Sequence, residues 1–313
     1  MKGIGRLIGK SGPLIGLVGL CALIAGLDYF LNDQPSFLSA ANWKNVLQQV
    51  AVVAILAVGS TFVILTAGID LSVGSVLALA GAVGAHFIAQ GDVAIGVLVS
   101  LGLGTLLGLG MGSLVAHFQL PPFVGTLGMY DIGRSLVLVY TTEKAISDFP
   151  ESFQGLANWA PVLLVGLYGL AFVTLKWLPF GRHVYAVGAN EVAARLSGVA
   201  VSKIKLAVYG LSGFCAGLGG LVWASRLNSI DSRAGQGLEL DAIAAVVIGG
   251  TSLMGGRGSV LATACGALIL VVLQNGMNLL QINPFWQQAA AGAMIVLAVL
   301  ADRLRVRAES RSA

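Results

Sequence analysis

The chain has 313 residues, 57% of them hydrophobic and only 10% charged, with a formal net charge of +4 and a mean hydropathy of +0.88. An average soluble domain is about a quarter charged, so a water-soluble globular fold is excluded and an integral membrane protein is expected. The 43 glycines and eight prolines fall inside apolar runs, where small residues let helices approach and breaks mark bends, so they do not signal disorder.

The first apolar run follows Lys2, Arg6 and Lys10 and continues to about Leu31 without a clear small-residue cleavage site. It reads as an uncleaved first span over 11–31. Further runs with little or no charge predict spans at 45–67, 71–91, 93–117, 122–140, 159–178, 204–224, 239–255, 258–280 and 285–301, about ten in an all-α membrane protein. From Gly258 to Ala301 there are 44 consecutive residues without Asp, Glu, Lys or Arg. As one helix they would reach about 66 Å, roughly twice a bilayer core, so the run crosses and returns. Asn283-Pro284 marks the return, because proline breaks the helix. The 239–255 span is short and carries Gly249-Gly250 and Gly255-Gly256, so it is expected to be broken or re-entrant if it does not cross fully. The connection from Gly68 to Asp70 is also very tight.

With a cytoplasmic amino terminus, Lys2, Arg6, Lys10, Lys176, Arg182, Arg195, Lys203, Lys205, Arg257, Arg303, Arg305, Arg307 and Arg311 fall inside, against Lys44, Lys144, Arg226 and Arg233 outside. That bias of thirteen to four places both termini in the cytoplasm, which requires an even number of crossings. Thr141 to Asn158, with Glu143, Asp148 and Glu151, falls outside, and the basic stretch from Pro179 to Lys205 falls inside. Neither is large enough for a soluble domain, so residues 1–313 read as one membrane domain with an inner loop at about 179–205.

No covalent chemistry can be assembled from these residues. Gly9-Lys10-Ser11 matches the end of a phosphate-binding loop, but the motif's first glycine would fall on Ile4. Gly108-Leu109-Gly110-Met111-Gly112 lies mid-span, and Gly104, Gly108 and Gly112 instead make a smooth face for a neighbouring helix, as do Gly210, Gly213, Gly217 and Gly220. Cys21, Cys215 and Cys265 are isolated in apolar stretches and read as packing residues. His86, His117 and His183 have no second ligand at helical spacing, so no metal is expected. Neither a cofactor nor a nucleic-acid partner is expected, and the work to be done is movement across the membrane.

Two features point to how. Asp131 and Arg134 lie inside a span, where each would cost about 2.5–3.5 kcal/mol alone at a helix centre. Three apart, they can face each other as an ion pair; the alternative is a role in a substrate path. In the inner loop, Gly188-Ala189-Asn190-Glu191-Val192-Ala193-Ala194-Arg195-Leu196-Ser197-Gly198 reads as a two-turn helix with Asn190 as N-cap, Glu191 at its positive end and Gly198 as its stop. A short capped helix there suits docking onto a partner.

That loop, the run from Thr66 to Ser75, the run from Glu239 to Leu253, Gly255-Gly256-Arg257-Gly258 and the run from Asn275 to Leu280 resemble the permease subunits of bacterial ABC importers for ribose and related sugars. These belong to a larger group that includes branched-chain amino-acid permeases, and the resemblance covers most of the chain. It implies residence in the bacterial inner membrane, two permease subunits around one path (a homodimer), cytoplasmic ATP-binding subunits and a periplasmic sugar-binding protein. By position it implies that Gly188, Asn190, Glu191, Ala193, Ala194, Ser197 and Gly198 form the coupling helix seated on the ATPase. Ala189 departs from the glycine common there, and Ser135 replaces the glycine that follows the family's arginine. A neutral, hydroxyl-rich sugar needs a path of modest polarity, for which Asp70, Ser72, Ser75, Thr126, Asn275 and Asn278 are candidates; Asp70 could equally cap the next helix. Arg226 and Arg233 could dock the binding protein through charge, or be solvated loop residues. Ribose is the nearest substrate, with xylose, galactose and inositol-like ligands open. A permease for branched-chain amino acids or nucleosides, and an ion-coupled secondary sugar carrier, are the alternatives.

Overall fold

The computed structural model describes residues 2–142 and 144–312, with side-chain surroundings for 12–142 and 144–300 apart from Ile295 and Ala298. The side chains of Lys2, Arg6, Lys10, Glu143, Arg303, Arg305, Arg307 and Arg311 lie outside the described residues. The elements in chain order are α1 (Lys2–Leu31), α2 (Ala40–Leu65), α3 (Val73–Ala89), α4 (Val93–Ala116), α5 (Pro122–Thr141), β1 (Ile146–Ser147), α6 (Glu151–Gln154), α7 (Leu156–Trp177), α8 (Pro179–Ala189), α9 (Glu191–Leu196), α10 (Val201–Leu227), β2 (Ser229–Ile230), α11 (Leu238–Ile248), α12 (Val260–Leu279) and α13 (Pro284–Ser312). The only sheet among the described residues pairs β1 with β2, Ile146 opposite Ile230, inside and just beyond segments read as loops. It ties the α5–α6 connection to the end of α10.

Among the described residues six helices are long and apolar enough to cross a membrane: Gly12–Leu31, Ala40–Leu65, Val93–Ala116, Glu151–Trp177, Val201–Leu227 and Val260–Leu279. The other four predicted spans meet α3, 17 residues long, α5, which carries Asp131 and Arg134, α11, 11 residues long, and α13. At 1.5 Å per residue α11 reaches only about 16 Å, half a bilayer core. The 239–255 segment is therefore a short helix followed by irregular chain, in which Gly250, Gly255 and Gly256 all have positive φ.

Two central helices organise the packing. α2 is buried on all sides from Val50 to Leu65, and α10 runs antiparallel to it, with Gly59 against Ser212 and Cys215, and Gly219 against Leu56. α4 lies antiparallel along α10: Gly104 meets Gly213 and Gly217, Gly108 meets Tyr209 and Gly213, and Gly112 meets Leu206 and Tyr209. Lipid tails are as apolar as leucine, so helices in a bilayer gain little from hydrophobicity and hold together by close backbone packing. Of the glycine faces expected from the sequence, Gly104, Gly108 and Gly112 with Gly210, Gly213 and Gly217 form this seam, whereas Gly220 packs instead on Leu77 and Gly81 of α3.

The packing is also repeated with inverted sense. α3 turns back on α4, with Gly84 on Gly96 and Ser100, and packs on α10. In the same way α11 turns back on α12, with Gly249 on Ala262 and Gly266 on Ala245, and packs on α2. α5 then lies beside α3 as α13 lies beside α11. Because α2 and α10 are antiparallel, the α2–α5 and α10–α13 units run in opposite directions, an arrangement found in transport folds with sites near the repeat interface.

Candidate functional site

Chain breaks converge at one end of the bundle, around α9. Asn190 takes extended backbone as N-cap, and its side-chain carbonyl accepts from the Ala193 N–H at 2.9 Å. Ser197 donates to the Ala193 carbonyl at 2.9 Å, and Gly198 ends the helix with φ of +83°. The roles of Asn190 and Gly198 are those expected from the sequence; the Ser197 bond is additional. Glu191 pairs with Lys205 at 2.7 Å and with Arg195 at 3.0 Å, and Lys205, aided by Arg195, holds its carboxyl below the usual value of 4.5. Ala194 is buried against the protein, whereas Val192 and Leu196 are 69% and 85% exposed. The outward face of α9 is therefore apolar and centred on Val192, Ala193 and Leu196 rather than on Ala194.

Beneath α9 three chain segments meet. The Leu65 carbonyl, at the end of α2, accepts from the Gly256 N–H at 3.0 Å. Gly188, at the end of α8, sits so close to this pair that a Cβ would collide with the Leu65 carbonyl and the Gly256 nitrogen. Gly255 lies on Ala67 and Gly256 on Ala189, and the Tyr185 hydroxyl donates to the Gly258 carbonyl at 2.9 Å. The end of α8 thus touches the end of α2 and the broken connection 249–259, and the latter in turn lies on Ala67 of the other, 66–72.

The first of these holds Asp70, which is buried. Its Oδ1 accepts from the Ser72 N–H at 3.0 Å and the Ser72 hydroxyl at 2.6 Å, and its Oδ2 from the Ser212 hydroxyl at 2.7 Å. It therefore closes the turn before α3, whose N-cap is Ser72, and pins that turn to α10. Ser75 donates to the Ser72 carbonyl, and Thr126 to the carbonyls of Pro122 at 2.9 Å and Ile69 at 3.2 Å. Asp70, Ser72, Ser75 and Thr126 thus share one polar neighbourhood where α3, α5 and α10 approach. Asn275 and Asn278 do not join it. Asn275 exchanges two hydrogen bonds with Asn42, at 2.9 and 3.0 Å; Asn278 is exposed and accepts from Gln287. Arg226 is half-buried and Arg233 exposed, both near the β1–β2 end.

Asp131 and Arg134 do not form the ion pair their spacing allows. Arg134 donates to the carbonyls of Ala234 at 2.6 Å and Ser232 at 3.2 Å and lies over the Tyr130 ring, while Asp131 is exposed. The loop between β2 and α11 descends into the bundle, and its bare carbonyls draw the guanidinium away from its neighbour. Sequence reasoning passed over Ser212 and Asn42, which complete the Asp70 and Asn275 pairs; no spacing marks either.

The model of the permease component of branched-chain amino acid transport systems matches residues 42–299. The chain belongs to this permease family. It is 43% identical over 305 residues to the ribose import permease protein of Bacillus subtilis (strain 168), covering 94% of this chain and 92% of the relative. The ribose import permease protein of Escherichia coli (strain K12) is 42% identical over 301 residues, covering 92% of each. The fructose import permease protein of Rhizobium meliloti is 37% identical over 284 residues, covering 85% of this chain and 79% of the relative. No solved structure matches the chain. The family match begins within α2 and ends within α13, so it takes in both inverted units and α9.

Proposed function

We propose that this chain is the membrane-spanning permease subunit of an ATP-driven sugar importer, moving a ribose-like monosaccharide into the cytoplasm and hydrolysing nothing itself. The observation that carries the reading is the junction beside α9: an exposed, capped helix continues from the end of α8, which packs on the end of α2 and on the broken connection 249–259. Force applied to α9 by an ATP-binding subunit passes through the adjoining end of α8, where Gly188 and Ala189 meet Leu65 and Gly256, and from Gly255 to Ala67. Gly188, Asn190, Glu191, Ala193, Ala194, Ser197 and Gly198 build this coupling element, with Val192 and Leu196 as its contact surface.

In this reading the α9 end is cytoplasmic, both termini lie on that side, and α3, α5, α11 and α13 complete about ten crossings in the bacterial inner membrane. The thirteen-to-four distribution of basic residues supports that orientation. A second copy completes the path, to which Asp70, Ser72, Ser75, Thr126, Asn275 and Asn278 contribute polar groups. A periplasmic sugar-binding protein docks at the β1–β2 end, where Arg226 and Arg233 meet acidic residues in a salt-sensitive contact. The sugar is drawn from the names of the relatives. The family model's own description favours a second reading, branched-chain amino acids as cargo.

The test is uptake of labelled ribose into proteoliposomes carrying the permease with its ATP-binding and sugar-binding partners. Uptake that requires ATP supports the proposal. Uptake that persists without ATP establishes an ion-coupled carrier instead, and uptake of leucine but not ribose establishes the second reading.

A further inference from the structure

We propose that Asp131 lines a water-filled passage and accepts hydrogen bonds from sugar hydroxyls as they pass. This rests on the sugar-permease reading and locates the passage along α5. Asp131 lies nine residues from the first residue of α5 and ten from the last, about 14 and 15 Å from its ends. That is mid-membrane depth, since α5 packs along α3 with Gly133 on Ser75 and Thr126 on Ile69. The side chain is exposed and has no hydrogen-bond or ion-pair partner among the described residues. Arg134, the one cation within reach on its own helix, is turned inward onto the Ser232 and Ala234 carbonyls. A carboxylate at this depth does not face hydrocarbon; such groups face a water-filled cavity or a protein interior.

The other exposed helix faces differ. α1 presents Leu14 and Val18, α4 presents Leu98 and Leu106, and α7 presents Val162 and Val165, all more than half exposed, which is the surface lipid requires. On α5 the strip through Asp131 continues to Gly128, with nothing near its missing side chain, and to exposed Ser135. Residues spaced three and four apart share one helix face, so exposed Leu127 and Val124 border this strip too, and what sets it apart from the other faces is the unpartnered Asp131 carboxylate at its centre. The second copy covers it across a two-fold axis, leaving water between, because an isologous contact brings the same strip from each copy together. A neutral sugar supplies hydroxyl donors to a carboxylate and carries no charge to be trapped by it, as a conducting site requires.

The test is labelling of Asp131→Cys in proteoliposomes by a membrane-impermeant methanethiosulfonate, with the native-cysteine background subtracted and Val165→Cys on α7 as reference. Asp131→Cys is expected to label at least about tenfold faster than Val165→Cys, and Asp131→Asn to raise the half-saturating ribose concentration about tenfold, the loss of one hydrogen bond to a charged group. Equal labelling at the two positions, or wild-type uptake by Asp131→Leu, overturns the proposal. Labelling is read without sugar, so an unlabelled Asp131→Cys fails this proposal alone, whereas a wild-type complex that carries no sugar fails the transport reading.

Discussion

The α4–α10 seam and the junction under α9 both depend on glycine, for different physical reasons. In the seam, Gly104, Gly108, Gly213 and Gly217 keep ordinary helical backbone and serve by lacking a side chain, so that main chain lies on main chain. At the junction, Gly255 and Gly256 have φ of +79° and +70°, a region that costs other residues roughly 1–2 kcal/mol, and Gly188 leaves room for a hydrogen bond between two other segments. Continuous helices locked along their length make a rigid wall. Chain breaks held by one main-chain hydrogen bond make a joint. A permease driven from one end needs both, and substitutions should separate them.

Gly188→Val places a branched side chain on the Leu65 carbonyl and Gly256 nitrogen. Overpacking of this kind costs about 1–3 kcal/mol or more, and here it pries apart the joint itself, so ATP-driven uptake should fall at least about a hundredfold while the chain still reaches the membrane. Reversing the character of the α9 surface with Val192→Arg and Leu196→Arg should release the ATP-binding subunit on size exclusion and cut uptake at least about tenfold, since centrally placed contacts are commonly worth 2 kcal/mol or more. The seam should respond in the other way: Gly213→Ala should lower the thermal midpoint in detergent, by about 1–3 kcal/mol of stability, without releasing the ATP-binding subunit from the folded fraction. Asn42→Leu strands Asn275 and should cost a similar 1–3 kcal/mol; a changed half-saturating sugar concentration with unchanged stability would instead put Asn275 in the path.

Glu191 should have the smallest effect. Its folded-state value is depressed by Lys205 and Arg195, so its contribution is present above the unfolded value of 4.5 and is lost as pH falls through the lowered folded value. Hydrogen exchange across 190–198 should therefore be insensitive to Glu191→Gln against wild type only in acid, below the lowered folded value, and should show modestly faster exchange in the variant at neutral pH, the pair being partly exposed and screened.

Much of this was legible in the sequence because single-residue physics decides it. Asn190 and Gly198 bound α9 by cap chemistry that needs no tertiary partner, and the four-residue glycine spacing of α4 marked the seam. Asp131 and Arg134 were flagged by cost alone, but which way each turned depended on the carbonyls of Ser232 and Ala234, a hundred residues away in sequence and brought near by the descending loop. The same holds for Ser212 on Asp70 and for Asn42 on Asn275: a buried polar group announces that it needs a partner without naming it. Ala194 shows the limit within one element, because a six-residue helix has too few turns for its pattern to say which small residue faces inward.

The coupling role of α9 can be read from one photocrosslink. With benzoylphenylalanine at Val192 in the assembled complex, illumination should attach the permease to its ATP-binding subunit, and the same probe at Val165 on α7 should not. A crosslink from Val192 only to lipid or to the sugar-binding protein, in a complex that retains ATP-driven uptake, would contradict the account.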